Sequence, residues 1–304
     1  MVREAGRRPA VRSEIREMSQ SRAAIIAGAL VAATWIGAHA QTKPLRLYVL
    51  DGGVLESDPA RYRLGPQEVK TTQLSVAAFL VVHPRGTLMW DSGAIADDSW
   101  TPTGRPVVRR LVLSNGQARQ VTIRKSLEAQ LMASGYAPRT ITYLALSHYH
   151  WDHVANANDF AAATWLVPKV EHEGMFPARP IDPPQPSTFA ALQMTKTMFV
   201  DKDDYDVFGD GTVIIKQARG HTPGHQVLYV KLARTGGVVL AGDLYHYPEE
   251  RTLNRLPTTE FNEQQTRAAR EGIEAFLKQT GAQLWIQHDL TAHMKLKKAP
   301  EYYD

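Results

Sequence analysis

Residues 147–153 read Ser147-His148-Tyr149-His150-Trp151-Asp152-His153 and follow the apolar run Ile141-Thr142-Tyr143-Leu144-Ala145-Leu146. An apolar run of this length that stops in polar residues predicts a buried strand delivering a loop to the edge of a sheet. In such a loop His148 and His150 can converge on one ion, while Asp152 and His153 reach a point slightly further along. Imidazole and carboxylate are the ligands zinc and similar ions take when a coordination position must stay open for water. A solvated, histidine-rich turn is the competing interpretation. Four ligand-type side chains within the span 148–153 weigh against it.

Further ligand-type residues sit at the ends of other apolar runs. Gly220-His221-Thr222-Pro223-Gly224-His225 follows Thr212-Val-Ile-Ile-Lys216 and precedes Val227-Leu-Tyr-Val-Lys-Leu232. Val238-Val-Leu-Ala-Gly-Asp243 ends on a carboxylate, and Leu284-Trp-Ile-Gln-His288 ends on a histidine. Delivery at or just past the C-terminal ends of strands is where open α/β sheets place their sites.

At this point the chain resembles a metallo-β-lactamase-fold hydrolase. The H-x-H-x-D-H signature is His148, His150, Asp152 and His153, followed by a glyoxalase-II-like G-H-T-P-G-H, the pair Gly242-Asp243 and the late His288. The stretch 75–93 is similar to the family's opening hairpin, closing on Asp91-Ser92-Gly93 where that hairpin normally closes on Asp-Thr-Gly. The resemblance spans about residues 45–288 and implies an α/β (α+β) fold, a four-layer αββα sandwich. Within the superfamily the pattern is most similar to the N-acyl homoserine lactonases. That similarity implies His148, His150 and His221 around one metal, Asp152, His153 and His288 around a second, and Asp243 bridging the two. It implies a structural place for His225, bracing its turn, and for Asp91, orienting a ligand histidine. β-Lactam-hydrolysing members of the superfamily do not use a bridging carboxylate at the position of Asp243.

The chemistry implied is hydrolysis. Five neutral imidazoles and two carboxylates around two divalent ions leave a positive site. Such a site lowers the pKa of a bridging water towards ~7 and polarises a carbonyl. Zinc is the first expectation from ligand type, with Mn, Fe or Co able to occupy the same set. Asp152 is the candidate for orienting the hydroxide and returning a proton to the leaving alkoxide. There is no G-x-S-x-G elbow and no cysteine, so an activated water is the expected nucleophile. Lactone opening, of N-acyl homoserine lactones above all, is the activity implied. A β-lactamase, a phosphotriester or aryl ester hydrolase and a non-catalytic binding module are the alternatives.

Substrate residues are less well marked. Trp151, inside the ligand loop, is a candidate to line the pocket and pack on an acyl chain. The lactonases place a Tyr three residues after the bridging Asp; here that position is His246, flanked by Tyr245 and Tyr247. His246 or Tyr245 is the candidate for positioning the carbonyl, with Tyr247 as a substrate contact.

Outside this domain, Ala23-Ala-Ile-Ile-Ala-Gly-Ala-Leu-Val-Ala-Ala-Thr-Trp-Ile-Gly37 lies between Arg22 and Ala38-His-Ala40. The run is short and rich in small residues for a membrane span, and its layout predicts a signal peptide cleaved before Gln41. Met18 is then a possible true start, residues 1–40 a removable leader and 41–304 the hydrolase domain; a retained anchor is the alternative. The expected location is periplasmic or secreted, with no stable membrane insertion once the leader is gone. The whole chain has 35 basic and 31 acidic residues, but six Arg and three Glu fall in residues 1–40, leaving 29 and 28. The basic character therefore belongs to the leader, and no nucleic-acid partner is expected. A small-molecule substrate and a possible homodimer are the expected partners. With 43% hydrophobic residues the chain can build a sizeable core as one domain.

Patterning predicts strands over 45–50, 76–83, 87–91, 141–147, 164–167, 197–200, 212–216, 227–232, 238–243 and 283–287. It predicts helices over 122–134 and 263–280, the second with Ala268, Ile273, Phe276 and Leu277 inward and Gly281 as its stop. The proline-dense stretch Pro177–Pro186 is expected to be an inserted loop or a rigid surface connection.

Overall fold

The computed structural model describes residues 44–113, 116–177 and 187–304. The expected leader and most of the proline-dense stretch lie outside the described residues. The first sheet has eight strands: β1 (Arg46–Glu56), β2 (Gln73–His83), β3 (Gly86–Trp90), β4 (Val107–Val112), β5 (Ala118–Ile123), β6 (Tyr143–Ala145), β7 (Thr164–Val167) and β8 (Thr197–Phe199), in the order β4-β5-β1-β2-β3-β6-β7-β8. The second has five: β9 (Asp204–Asp206), β10 (Val213–Gln217), β11 (Gln226–Leu232), β12 (Gly236–Leu240) and β13 (Gln283–Trp285), in the order β13-β12-β11-β10-β9. The helices are α1 (Leu127–Ala133), α2 (Lys169–Met175), α3 (Pro248–Thr252), α4 (Glu263–Thr280) and α5 (Leu290–His293).

Alternation along the central strands explains the layering. Tyr48, Leu50, Ala78, Leu80 and Val82 point to one face, where they pack with Leu127 and Leu131 of α1 and Met175 of α2. Their neighbours Leu47, Val49, Ala77, Phe79 and Val81 point to the other, against Val213, Ile215, Leu228, Val230 and Leu240 of the second sheet. That sheet's outer face, with Val227, Tyr229 and Val239, is covered by Ile273 and Leu277 of α4. Strands apolar on both faces can only be satisfied by cover on both sides. The result is helix, sheet, sheet, helix.

Strands β4 and β9 and helices α2, α3 and α5 lie where patterning predicted no element, and two expected features came out differently. Residues 122–123, expected to open a helix, instead close β5, which pairs with β4 from Val107↔Ile123 to Val112↔Ala118. The helix begins only after Ser126, whose backbone is extended and whose Oγ accepts from Ala129 N at 3.2 Å as an N-cap. In α4, Ala268 is exposed and the inward face runs Thr266, Arg270, Ile273, Leu277, with Phe276 partly buried beside it. Gly281 ends that helix in the left-handed region, at φ 69°, its N–H on Leu277 O. Among the described residues no helix is long and apolar enough to cross a membrane.

Candidate metal centre

The ligand-type residues gather where the two sheets meet. Asp243 follows β12 on a short turn of 3₁₀ helix, Gly242–Leu244, and is buried. Its Oδ2 lies 3.4 Å from His148 Nε2 and 3.2 Å from His221 Nε2. Its Oδ1 lies 3.1 Å from His153 Nε2 and 2.9 Å from His288 Nε2. Ligand atoms of His148, His150, His221 and Asp243 fall within 4.8 Å of one another, and so do those of Asp152, His153 and His288. Two groups sharing one carboxylate make a dinuclear metal centre.

Hydrogen bonding on the far side of each ring shows that the residues fit a metal. His153 Nδ1 donates to Asp91 Oδ2 at 2.9 Å, and His221 Nδ1 to Glu260 Oε1 at 2.9 Å. His288 Nδ1 donates to Ser75 O at 2.7 Å. A neutral imidazole whose Nδ1 carries the proton presents Nε2 as a bare lone pair. Three such lone pairs face Asp243 at about hydrogen-bond distance, and lone pair against carboxylate is repulsive unless a cation lies between. His148 Nε2, His153 Nε2 and Asp243 Oδ1 are accordingly buried without a hydrogen-bond partner. Asp91 is fixed in turn by Ser147 N, Ser147 Oγ and Gln287 Nε2, at 2.6, 2.9 and 2.9 Å. These partners set ring orientation and ligand basicity.

Electrostatics point the same way. Burial and the neighbouring His153 hold His148 well below the ordinary imidazole value, and burial with His221 does the same to His150. His153 is lowered by burial but raised further by Asp243, Asp91 and Asp152, and ends well above it. Burial pushes the Asp243 carboxyl up, and the surrounding histidines, His153 first, pull it well below the usual carboxylate range. A carboxylate held ionised at the centre of this histidine cluster, with His148 and His150 kept neutral and His153 drawn to its proton by the surrounding carboxylates, is a focus of negative charge that a cation can satisfy.

Close packing holds the loops in place. Gly220 has φ 135°, and a Cβ there would come within 2.2 Å of Thr266 N. Gly242 has φ 51°, and a Cβ would meet His225 Nε2 at 2.7 Å. Glu171 of α2, fully buried, ties the two ligand loops together. It accepts from Tyr149 N at 3.1 Å in the first, and from Thr222 Oγ1 and Gly224 N at 2.6 and 2.7 Å in the second. His225 Nε2 accepts from Asp243 N at 2.9 Å and its Nδ1 donates to Ala218 O. Both ring nitrogens are therefore occupied, which suits the bracing place given to it above.

A cavity of about 440 Å³ opens on the centre, lined by His150, Trp151, Asp152, His221, Asp243, His246 and His288 together with Tyr62 and Arg61. Trp151 and His150 also line a second, larger cavity of about 730 Å³ with Ala94, Leu111, Val154 and Phe189. His246 faces the centre, its Nε2 3.1 Å from Asp243 Oδ2. Tyr245 and Tyr247 line neither cavity. The Tyr245 hydroxyl donates to Glu274 at 3.1 Å and its ring packs with α4, while Tyr247 packs against Tyr62 at 5.2 Å. The reason is local: backbone at 245 and 247 is extended, so presenting His246 to Asp243 turns both neighbours away. The aromatic hydroxyl at the cavity is that of Tyr62, from the turn Pro59–Tyr62, which sequence reasoning missed along with Glu171 and Glu260.

The chain belongs to the metallo-beta-lactamase superfamily, whose family model matches residues 103–283. It is 28% identical, over 86% of its own length and 99% of the relative's, to the N-acyl homoserine lactonase AttM of Azorhizobium caulinodans. The fold is similar to that of an AiiA variant from B. thuringiensis with N-decanoyl-L-homoserine bound at the active site. That match has TM-score 0.69 and 22% identity, and covers 84% of this chain and 98% of the other. It is also similar to AidC, a dizinc quorum-quenching lactonase, with TM-score 0.60 and 19% identity over 86% of this chain and 94% of the other.

Proposed function

We propose that this protein is a metal-dependent hydrolase that opens lactone rings, N-acyl homoserine lactones foremost. The observation that carries the reading is Asp243, whose two oxygens serve two separate ligand groups at the floor of a cavity walled by Trp151. The relatives that are N-acyl homoserine lactonases across nearly the whole chain support it. His148, His150 and His221 would hold one divalent cation and Asp152, His153 and His288 the other, with Asp243 shared and zinc the first choice from ligand type. Bound there, two such cations lower the pKa of a water and polarise an ester carbonyl.

The chain's own residues supply the rest. Asp152 lines the cavity with its carboxylate 3.7 Å from His288 Nε2, placed to hold a water by hydrogen bond and to return its proton to the leaving alkoxide. Tyr62 lines the cavity with a hydroxyl that accepts only a long contact, 3.5 Å, from Ser57 Oγ, leaving its own proton for a substrate carbonyl. Trp151, shared by both cavities, would seat the ring on one side and the start of an apolar tail on the other.

The test is a pH-indicator assay with the purified, metal-loaded protein on short and long acyl homoserine lactones, aryl esters, nitrocefin and a phosphotriester. Lactone opening with release of one proton is the expected result. Turnover confined to nitrocefin or the phosphotriester would refute the lactone assignment. The layout of residues 18–40 supports export with cleavage before Gln41. Mass spectrometry of the protein from a fractionated bacterial host checks this, and an uncleaved cytoplasmic product would overturn it.

A further inference from the structure

We propose that His246 is itself a ligand of the metal centre, held in that role by Glu250; the proposal rests on the dinuclear reading above. Three observations carry it. First, His246 Nε2 lies with ligand atoms of Asp243 and His288 in a third group whose members fall within 4.8 Å of one another. The ring stands between the two metal groups: it is parallel to His288, at 4° with centroids 5.4 Å apart, and 5.2 Å from His221.

Second, a fixed carboxylate stands behind the far side of the ring. Glu250 is completely buried and its Oε2 accepts from His246 N at 2.6 Å and Tyr247 N at 2.9 Å. Its Oε1 accepts from Arg270 at 3.1 Å, and Arg270 Nε donates to Leu244 O at 2.8 Å. That carboxylate cannot swing away, and it stands 3.4 Å from His246 Nδ1, an ion-pair distance. With Nδ1 turned to Glu250, Nε2 faces Asp243 Oδ2 at 3.1 Å, in the space the metals would share. Glu260 behind His221 and Asp91 behind His153 stand closer, at hydrogen-bond distance, and the Glu250–His246 pair is a looser form of the same carboxylate–histidine pairing.

Third, the ring has no freedom to act as a mobile proton carrier. Tyr62 packs on it at 4.6 Å, it is 5% exposed, and its backbone is pinned by Glu250. Asp243 and His246, three residues apart across the 3₁₀ turn, reach the same point from one short segment. A borderline-soft nitrogen held this rigidly beside a bridging carboxylate has the chemistry of a ligand for zinc, cobalt or iron. It makes eight donor residues where the superfamily pattern supplies seven.

The experiment uses the full chain, freed of metal and reloaded with Co(II). Metal content, chelator competition and the visible Co(II) absorption spectrum are read for the wild type, His246→Phe, His246→Gln and Glu250→Gln. His246→Phe keeps the packing against Tyr62 and His288, and circular dichroism checks that each variant is folded. Wild type should hold two cobalt ions. Both His246 variants should bind one of them more weakly by at least the 10–100-fold typical of losing an outer partner, with a changed spectrum, and Glu250→Gln should fall in about that range. Two ions at wild-type affinity with an unchanged spectrum in a folded His246 variant would overturn the proposal and leave the dinuclear centre standing. A wild type that holds fewer than two ions would overturn both.

Discussion

Replacing Glu171 by Gln should loosen the metal centre without touching a single ligand. Its carboxylate receives three donors, one partly buried from the loop of His148–His153 and two buried from the loop of His221. Gln keeps the size but offers one acceptor oxygen. Turned to keep Thr222 and Gly224, it points an NH₂ at Tyr149 N and leaves that partly buried N–H without its acceptor. An orphaned buried donor costs about 1–3 kcal/mol, and the two remaining bonds lose their charge assistance. Glu171→Ala strands all three donors, for roughly 3–5 kcal/mol since such terms do not add fully. At roughly 2–4 °C per kcal/mol for a domain of this size, the Gln variant should melt several degrees below wild type and the Ala variant further still. Because Tyr149 lies between His148 and His150, and Thr222 beside His221, metal affinity should fall about 10–100-fold in both. Thermal melts of the metal-free and metal-loaded protein, with chelator competition for affinity, measure the two effects separately. A Gln variant that melts and binds metal like wild type would show that the loops are held by something else.

Asp243→Asn should take metal content from two ions towards one or none and cut lactone turnover at least about 100-fold, by metal analysis and the proton-release assay, since one carboxylate serves both groups. Trp151→Ala should flatten the preference for long acyl chains; if two methylenes lose contact the loss is roughly tenfold in kcat/KM for a ten-carbon chain and little for a four-carbon one. His293, buried with Nε2 lacking a hydrogen bond and 4.0 Å from Asp51 Oδ1, is held down to about 4 by burial and the nearby Lys298, against the opposing pull of Asp51. Its neutral form is the one the fold favours, so its contribution is complete above the ordinary 6.5 and is lost as pH falls from there towards 4, where the unfolded chain takes the proton first. Denaturant melts of the metal-free protein at pH 7 and 4.5 should therefore show a smaller loss on acidification for His293→Gln than for wild type; an equal loss would refute this.

What could be read from the chain and what could not divide along a physical line. Ligands sitting at the ends of apolar runs, such as His148, Asp243 and His288, were legible because a buried strand announces itself by composition and its end by the first polar residues. Helix α4 was legible to the residue from its period and its glycine stop, although Arg270 took the inward place expected of Ala268. Strand β5 was not: Ile123 falls at helical spacing with Leu127 and Leu131, and only the pairing with β4, a tertiary fact, assigns it to a strand. The acids behind the ligands were invisible for a related reason. Glu171 and Glu260 lie in stretches with no distinguishing pattern, and their meaning appears only when α2 and the segment before α4 fold back over the loops. Tyr62 is the same case, a turn residue brought to the cavity from far upstream of the signature.

The chain contains no cysteine, yet its centre joins side chains carried by the first sheet to side chains carried by the second. A disulfide in that place would tie the two halves permanently, worth a few kcal/mol by restricting the unfolded chain. A shared ion is a fastener of another kind, because its hold depends on supply. Each tenfold rise in free metal above the dissociation constant adds about 1.4 kcal/mol per ion to the folded state, and each fall removes as much. With ions bound there, the stability of the seam between the sheets would be set partly by the metal supply around the protein.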